Sequence, residues 1–262
     1  MDLGLKDKPI LVMASSGGIG RGVATEFARE GAKVMLFARS EEKLAVVADE
    51  IESETGTRPQ FVAGDITSAD DVAMVVEKTA VEFGGVWALF NNTGGPAAGP
   101  FENLDDDAWQ SAFELTTLGY VRAVRECLPH MKSGGGGRIV QNTSVSTKQA
   151  IDGLLLSNVF RAGLVGLGKT LARELGKEGI LVNTVGPGRI DTERVEQLDN
   201  IWAEQKGISY DEQRKDAENS IPLGGYGEPA DFGRVVVFLC STANSYVTGQ
   251  NLLIDGGMTP SY

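Results

Sequence analysis

Short, uninterrupted apolar runs alternate along this chain with longer stretches in which apolar positions recur every three or four residues. Residues 9–14 (PILVMA), 33–38 (KVMLFA), 60–63, 86–90 (VWALF), 138–142, 180–185 and 251–254 read as strands. Between them, residues 19–29, 41–54, 70–83, 106–131, 152–177 and 229–241 carry helical spacing, as in Ile19, Val23 and Phe27 on one face of the first. Ser68 is a helix cap at the start of the third helix, and the acidic run before residue 106 suits the N-terminal end of a helix dipole. Strands that are apolar throughout, rather than alternating, are buried on both faces. Seven of them separated by helices predict a doubly wound α/β fold of Rossmann type, a seven-stranded parallel sheet with helices on both faces. Residues 1–262 form a single domain on this reading, and residues 191–222 are a polar, strandless insertion.

Composition narrows the function classes. A formal net charge of −12 disfavours phosphate backbones and anionic membrane surfaces as partners. No apolar run reaches the roughly 18 residues of a membrane span, and the N-terminus lacks the pattern of a secretory signal. Two scattered cysteines, Cys127 and Cys240, fit a reducing, cytoplasmic setting, and a lone His130 makes no metal site with them.

The first strand runs into Ala14-Ser15-Ser16-Gly17-Gly18-Ile19-Gly20, and a helix begins at once. Such a turn aims backbone N–H groups and a helix N-terminus at an anion, and its glycines admit a pyrophosphate; a simple tight turn is the alternative. An NAD site places a carboxylate at the tip of the second strand to hold ribose hydroxyls. Here Arg39 follows that strand, and a guanidinium forks onto a 2′-phosphate. The reading is therefore NADP, with a solvated helix-cap arginine as the alternative.

Five ordered motifs resemble the short-chain dehydrogenase/reductase family. Gly18-Ile19-Gly20 resembles its glycine motif, with Met13 and Ala14 where the family has Thr and Gly; an altered loop path is expected there. Gly64-Asp65-Ile66 resembles the turn at adenine, and Asn91-Asn92-Thr93-Gly94 the motif after the fourth strand. Pro187-Gly188-Arg189-Ile190-Asp191-Thr192 resembles the segment beside the nicotinamide amide, and residues 249–257 the last strand and tail. The resemblance implies cofactor contacts at Ser15, Ser16, Gly18, Ile19, Gly20, Arg39, Asp65, Ile66, Asn91, Thr93, Gly94, Arg161, Pro187, Gly188, Ile190 and Thr192. It implies hydride transfer between the nicotinamide and a small carbonyl or alcohol substrate, within a divergent 3-oxoacyl-carrier-protein reductase-like branch.

The family's tetrad is Asn, Ser, Tyr and Lys. Aligned on residues 137–140 and 162–171, these positions hold Thr116, Ser144, Ser157 and Arg161, so only Ser144 matches. A serine hydroxyl is a poor general acid near neutrality, and Arg161 keeps its charge without releasing a proton. Catalytic candidates are Ser144, Ser157, Arg161 and Lys148. Lys148, with Ser146, supplies the proton or orients the substrate oxygen on one reading and is a solvated loop residue on the other. The readings that stand are an NADP-dependent oxidoreductase with an atypical active site, rearranged or slow, and a catalytically inactive NADP-binding sensor or regulatory subunit. Selectivity belongs to residues 190–222, with Trp202 and Tyr210 as candidate lining and residues 95–101 as the opposite wall. The resemblance, together with an over-apolar helix at residues 151–175, implies a homotetramer.

Overall fold

The computed structural model describes residues 2–261. Strands β1 (Pro9–Met13), β2 (Lys33–Ala38), β3 (Gln60–Ala63), β4 (Ala88–Asn91), β5 (Gly137–Asn142), β6 (Ile180–Pro187) and β7 (Asn251–Ile254) form one sheet in the order β3-β2-β1-β4-β5-β6-β7. All neighbouring pairs are parallel. The order reverses between β1 and β4, which opens a crevice at the carboxyl ends of those strands.

Side-chain alternation along the buried strands divides the core. Ile10 and Val12 of β1 pack with α1 (Gly18–Arg29), α2 (Glu41–Thr55) and α9 (Pro229–Cys240) on one face. Leu11 and Met13 pack with α3 (Ala69–Phe83), α5 (Gly119–Ser133) and α6 (Leu155–Leu175) on the other. Each such fully buried side chain contributes about 1.5–3 kcal/mol of transfer free energy, which fixes the register of the central strands and the height of their tips. Ser68 caps α3 by accepting from the Asp71 N–H at 3.2 Å, as expected from its position. Cys127 and Cys240 are free and buried in the clusters on opposite faces of the sheet. No helix is long and apolar enough to cross a membrane among the described residues.

Two regions differ from the sequence expectation. The helix expected over residues 106–131 is α4 (Asp106–Phe113), a π-helical segment (Glu114–Leu118) and α5. The apolar period continues across the junction, so it conceals the wider turn. The polar segment at 191–222 is strandless but not irregular: it folds as α7 (Glu193–Lys206) and α8 (Tyr210–Asn219). Their burial is sparse, with Asp199 and Ala203 inside α7 and Gln213 and Ala217 inside α8, which explains the weak apolar period.

Ala14 takes φ of 48°, in the left-handed region where a glycine has no Cβ penalty. The turn thus keeps a glycine-like backbone in spite of its methyl group. Ala14→Gly is expected to stabilise the chain by about 1 kcal/mol, less the added unfolded-state entropy. Urea unfolding reads it, and a midpoint lowered by the full entropic cost of a glycine would refute strain at this residue.

Candidate active site

The glycine turn is shaped by contact. A Cβ on Gly20 would lie 2.1 Å from the Ala14 carbonyl oxygen, so helix α1 starts against the turn only with glycine there. Ser15 is a correction to the list of cofactor contacts: its hydroxyl is buried and accepts from the Phe37 N–H at 2.9 Å, tying β1 to β2 instead of facing the crevice. Ser16, Gly17 and Gly18 line a cavity of about 460 Å³ beside the turn, together with Arg21 and Lys43. A Cβ on Gly18 would sit 3.3 Å from Thr192 Cγ2, so the turn and the segment after β6 meet across the crevice.

At the tip of β2, Arg39 is exposed. It adds to the field at Asp65, whose carboxyl is held below the ordinary range chiefly by the Thr67 backbone N–H, then by the Thr67 hydroxyl, with Arg39 the smaller influence. Ile66 is buried behind it. At the tip of β4, Asn91 donates to the Tyr120 carbonyl at 3.0 Å. Asn142 donates to Asn92 Oδ1 at 2.7 Å, and Asn92 donates to the Ala14 carbonyl at 3.3 Å. This chain of amides fixes the tips of β5 and β4 against the glycine turn. Asn91 Oδ1, Thr93 Oγ1 and Asn142 Oδ1 are buried there without a hydrogen-bond partner among the described residues. Gly94 lies exposed beyond them. On the opposite side, Gly188 N–H donates to the Ile254 carbonyl at 2.9 Å, Ile190 is buried, and Thr192 caps α7 through the Val195 N–H. Pro187 ends β6 beside them.

Ser144 follows β5, and its hydroxyl accepts from the Ser146 N–H at 3.1 Å. Ser157 and Arg161 lie one turn apart on α6, both buried. Arg161 Nη1 donates to the Asn142 carbonyl at 3.0 Å, and the Tyr120 hydroxyl donates to the same oxygen at 2.8 Å. Tyr120 does not replace a catalytic tyrosine: burial pushes its phenol up to about 12, with Arg161 opposing only in part, and its proton is committed to Asn142. Tyr226 is also committed, donating to Asp199 at 2.7 Å, with burial and that carboxylate pushing its phenol upward. Thr116 sits inside the π-helical segment and donates to the Ala112 carbonyl at 2.6 Å, so its hydroxyl serves the helix.

A cavity of about 390 Å³ opens at Ser144. Val145, Ile151, Leu154, Val195, Leu198, Trp202 and Met258 make its walls largely apolar, with Gln149, Arg189 and Ser220 as polar points. Lys148 is exposed and lies outside this lining; Gln149 is the residue of that loop that reaches the cavity. Trp202 lines it as expected, but Tyr210 does not and instead accepts from Arg214 Nη1 at 3.3 Å. Residues 95–101 do not line the cavity directly; Gly99 N–H donates to the Gly153 carbonyl at 2.7 Å, beside the lining Leu154. Sequence reasoning missed the network that shapes the outer wall. Arg189 stacks 4.8 Å over Trp202 and pairs with the fully buried Asp199, which also holds Tyr226.

A family model described as Enoyl-(Acyl carrier protein) reductase matches residues 13–259. The chain belongs to the short-chain dehydrogenase/reductase family. Among curated short-chain dehydrogenase/reductase relatives, a 3-oxoacyl-[acyl-carrier-protein] reductase FabG from Thermotoga maritima is 32% identical over 254 residues, covering 97% of this chain and 98% of that protein. An A-factor type gamma-butyrolactone 1′-reductase from Streptomyces virginiae is 33% identical over 261 residues, covering 97% and 96%. The crystal structure of L-sorbose reductase from Gluconobacter frateurii, complexed with NADPH and L-sorbose, superposes with a TM-score of 0.94 at 32% identity, covering 100% of both chains. These likenesses span the whole sheet and the α7–α8 segment, so this oxidoreductase fold is common to the relatives and the chain alike.

Proposed function

We propose that the chain is an NADP-dependent oxidoreductase acting on a small carbonyl or alcohol substrate through an atypical active site. The observation that carries the reading is the switch point between β1 and β4, with the exposed Arg39 at the tip of the neighbouring β2 and a cavity at Ser144 beyond β5. The residues fit the nucleotide: Gly20 leaves no room for a side chain, and buried polar atoms at Asn91 and Thr93 await partners. The pyrophosphate belongs at the turn from Ser16 to Gly20, the adenine beside Asp65 and Ile66, and the 2′-phosphate at Arg39. Asn91, Thr93, Gly94, Arg161 and the segment from Pro187 to Thr192 would hold the nicotinamide half. When bound, the nucleotide supplies the hydride.

The chain's own part is to orient the substrate oxygen at Ser144 and exclude water with the apolar wall from Ile151 to Trp202. Arg161 adds a fixed positive charge near that oxygen, which favours developing negative charge. Neither the Ser157 hydroxyl nor the Arg161 guanidinium is a chemical group suited to general acid catalysis, and Lys148 lies outside the cavity lining. Proton delivery then falls to hydroxyls and water, and turnover is slow. Loss of NADPH absorbance against a panel of ketones and aldehydes tests this. Nucleotide binding with no hydride transfer to any carbonyl would favour the second reading, a sensor or regulatory subunit, which the commitment of Tyr120 and Tyr226 to internal acceptors supports.

Two further expectations belong to this reading. Both thiols are buried, and burial pushes Cys240 up to about 12, which suits a reducing cytoplasmic setting in which neither is needed. The α4–α6 face supports a homotetramer. Val159 is 45% exposed and Phe113 38% exposed, beside the packed rings of Trp109 and Phe160, and Gly163 and Gly166 open onto space. Light scattering at micromolar concentration is expected to give four times the chain mass, and a monomer mass would contradict it.

A further inference from the structure

The arginines of the substrate-side segment are not alike. Arg189 is paired with Asp199, and Arg214 with Asp191 at 2.7 Å and Glu218 at 3.0 Å. Arg194, on the first turn of α7, has no carboxylate within ion-pair distance among the described residues. Its Nη2 donates to the Pro96 carbonyl at 3.2 Å, so the side chain spans the crevice from α7 to the loop after β4. Arg161, on α6, is likewise held by a carbonyl, that of Asn142. Arg194 is held below its ordinary range first by burial and then, more weakly, by the charge of Arg161.

A second observation concerns Gly95. Its backbone φ is not positive, so conformational freedom does not call for glycine there. A Cβ at Gly95 would instead lie 2.9 Å from both Arg194 Nε and Nη2. The glycine leaves a seat for the guanidinium. A half-buried guanidinium held by a carbonyl alone, with no carboxylate partner among the described residues in a chain of net charge −12, is a costly arrangement unless an anion completes it.

We propose that Arg194, reinforced by the charge of Arg161 and seated by Gly95, binds the carboxylate of the substrate, which is therefore an oxo acid or hydroxy acid rather than a neutral ketone or alcohol. The proposal rests on the NADP-dependent oxidoreductase reading and narrows its substrate class. Arg194 is not itself part of the cavity lining, but it precedes Val195, which with Leu198 brings α7 into the wall, so the carboxylate would sit just outside the cavity. The apolar remainder of the substrate enters toward Ile151 and Trp202, and the carbonyl meets Ser144. The planar fork of an arginine gives such a carboxylate two parallel hydrogen bonds.

Matched pairs test this: 4-oxopentanoate, phenylpyruvate and benzoylformate, each against its methyl ester. They are titrated into the NADPH complex, followed by nicotinamide fluorescence and by calorimetry. At least one acid is expected to bind about tenfold or more tighter than its ester, the scale of a charge-assisted hydrogen bond in a partly desolvated site. Arg194→Ala should erase that preference while leaving the NADPH Kd within about twofold. Gly95→Ala, which displaces the guanidinium but keeps its charge, should reduce the preference with the far-ultraviolet spectrum unchanged. Acids and esters binding alike, or no acid binding at all, overturns the proposal. So does a tenfold weaker NADPH Kd in Arg194→Ala with the acid preference intact, because Arg194 would then serve the pyrophosphate. If the wild-type chain binds no NADPH, the oxidoreductase reading fails by itself, and the same acid–ester titrations on the nucleotide-free protein still decide the carboxylate site.

Discussion

Gly20→Ala is expected to raise the NADPH Kd by about 100-fold or more while the chain remains folded. The added Cβ would lie 2.1 Å from the Ala14 carbonyl oxygen, which is backbone and has no rotamer in which to retreat. Either the turn moves away from helix α1 or the helix loses its first turn. In both cases the N–H groups proposed to hold the pyrophosphate are misdirected. Each charge-assisted hydrogen bond lost costs about 1.5–3 kcal/mol, so two are enough for the stated effect. Fluorescence titration reads the affinity, and circular dichroism checks that the sheet is intact. A folded variant that binds NADPH as the parent does would show that the turn does not cradle the nucleotide.

The largest gain should come from the double substitution Ser157→Tyr with Arg161→Lys. Ser157 and Arg161 lie one turn apart on α6, and Arg161 already reaches the Asn142 carbonyl near the nicotinamide end of the crevice. A phenol at 157, lowered in pKa by an ammonium group at 161, restores a positioned proton donor beside Ser144. Such a group typically contributes about 10²–10⁴ in rate. Carbonyl reduction by the double variant is expected to exceed that of the parent by at least about 10²-fold. Its kcat should also acquire a pH dependence that the parent lacks between pH 6 and 9, because Tyr120 is held protonated up to about 12 and takes no part. Equal rates in the two proteins would mean that proton transfer does not limit the parent.

The strands were legible because parallel, doubly covered strands must be apolar at nearly every position, and β1, β2 and β4 are. Boundaries moved by one or two residues: β6 runs on to Pro187 because Gly186 and Pro187 pair with Leu253 and Ile254, an edge partner that local hydrophobicity does not reveal. The α7–α8 pair lay beyond apolar periodicity because its packing uses buried polar side chains such as Asp199 and Gln213. One signal was present: Ser209 and Glu212 form a reciprocal capping box, readable as S-x-x-E. The π-helical turn at Thr116 has no comparable mark in the sequence.

The site was legible in part for similar reasons. Motifs fix backbone placement: Gly18 of the glycine turn comes within 3.3 Å of Thr192 Cγ2 when a Cβ is built on it, and Thr93 Oγ1 is buried without a hydrogen-bond partner among the described residues. They do not fix where a short side chain turns, and Ser15 faces β2. Sequence proximity put Lys148 near Ser144, yet the short 3₁₀ turn Val145–Thr147 leaves it on the exposed side and presents Gln149 to the cavity. Arg194 attracted no notice in the sequence because its significance depends on what is missing around it, a carboxylate that both Arg189 and Arg214 possess.

Isothermal calorimetry of NADPH and NADH against the parent and against Arg39→Ala is the most direct test of a nucleotide lying across the strand tips with its 2′-phosphate at Arg39. NADPH should bind the parent at least about tenfold tighter than NADH, and the preference should vanish in Arg39→Ala, as expected for the loss of one charge-assisted guanidinium–phosphate contact. The absence of heat with either nucleotide, or equal affinity for both in the parent, would contradict the account.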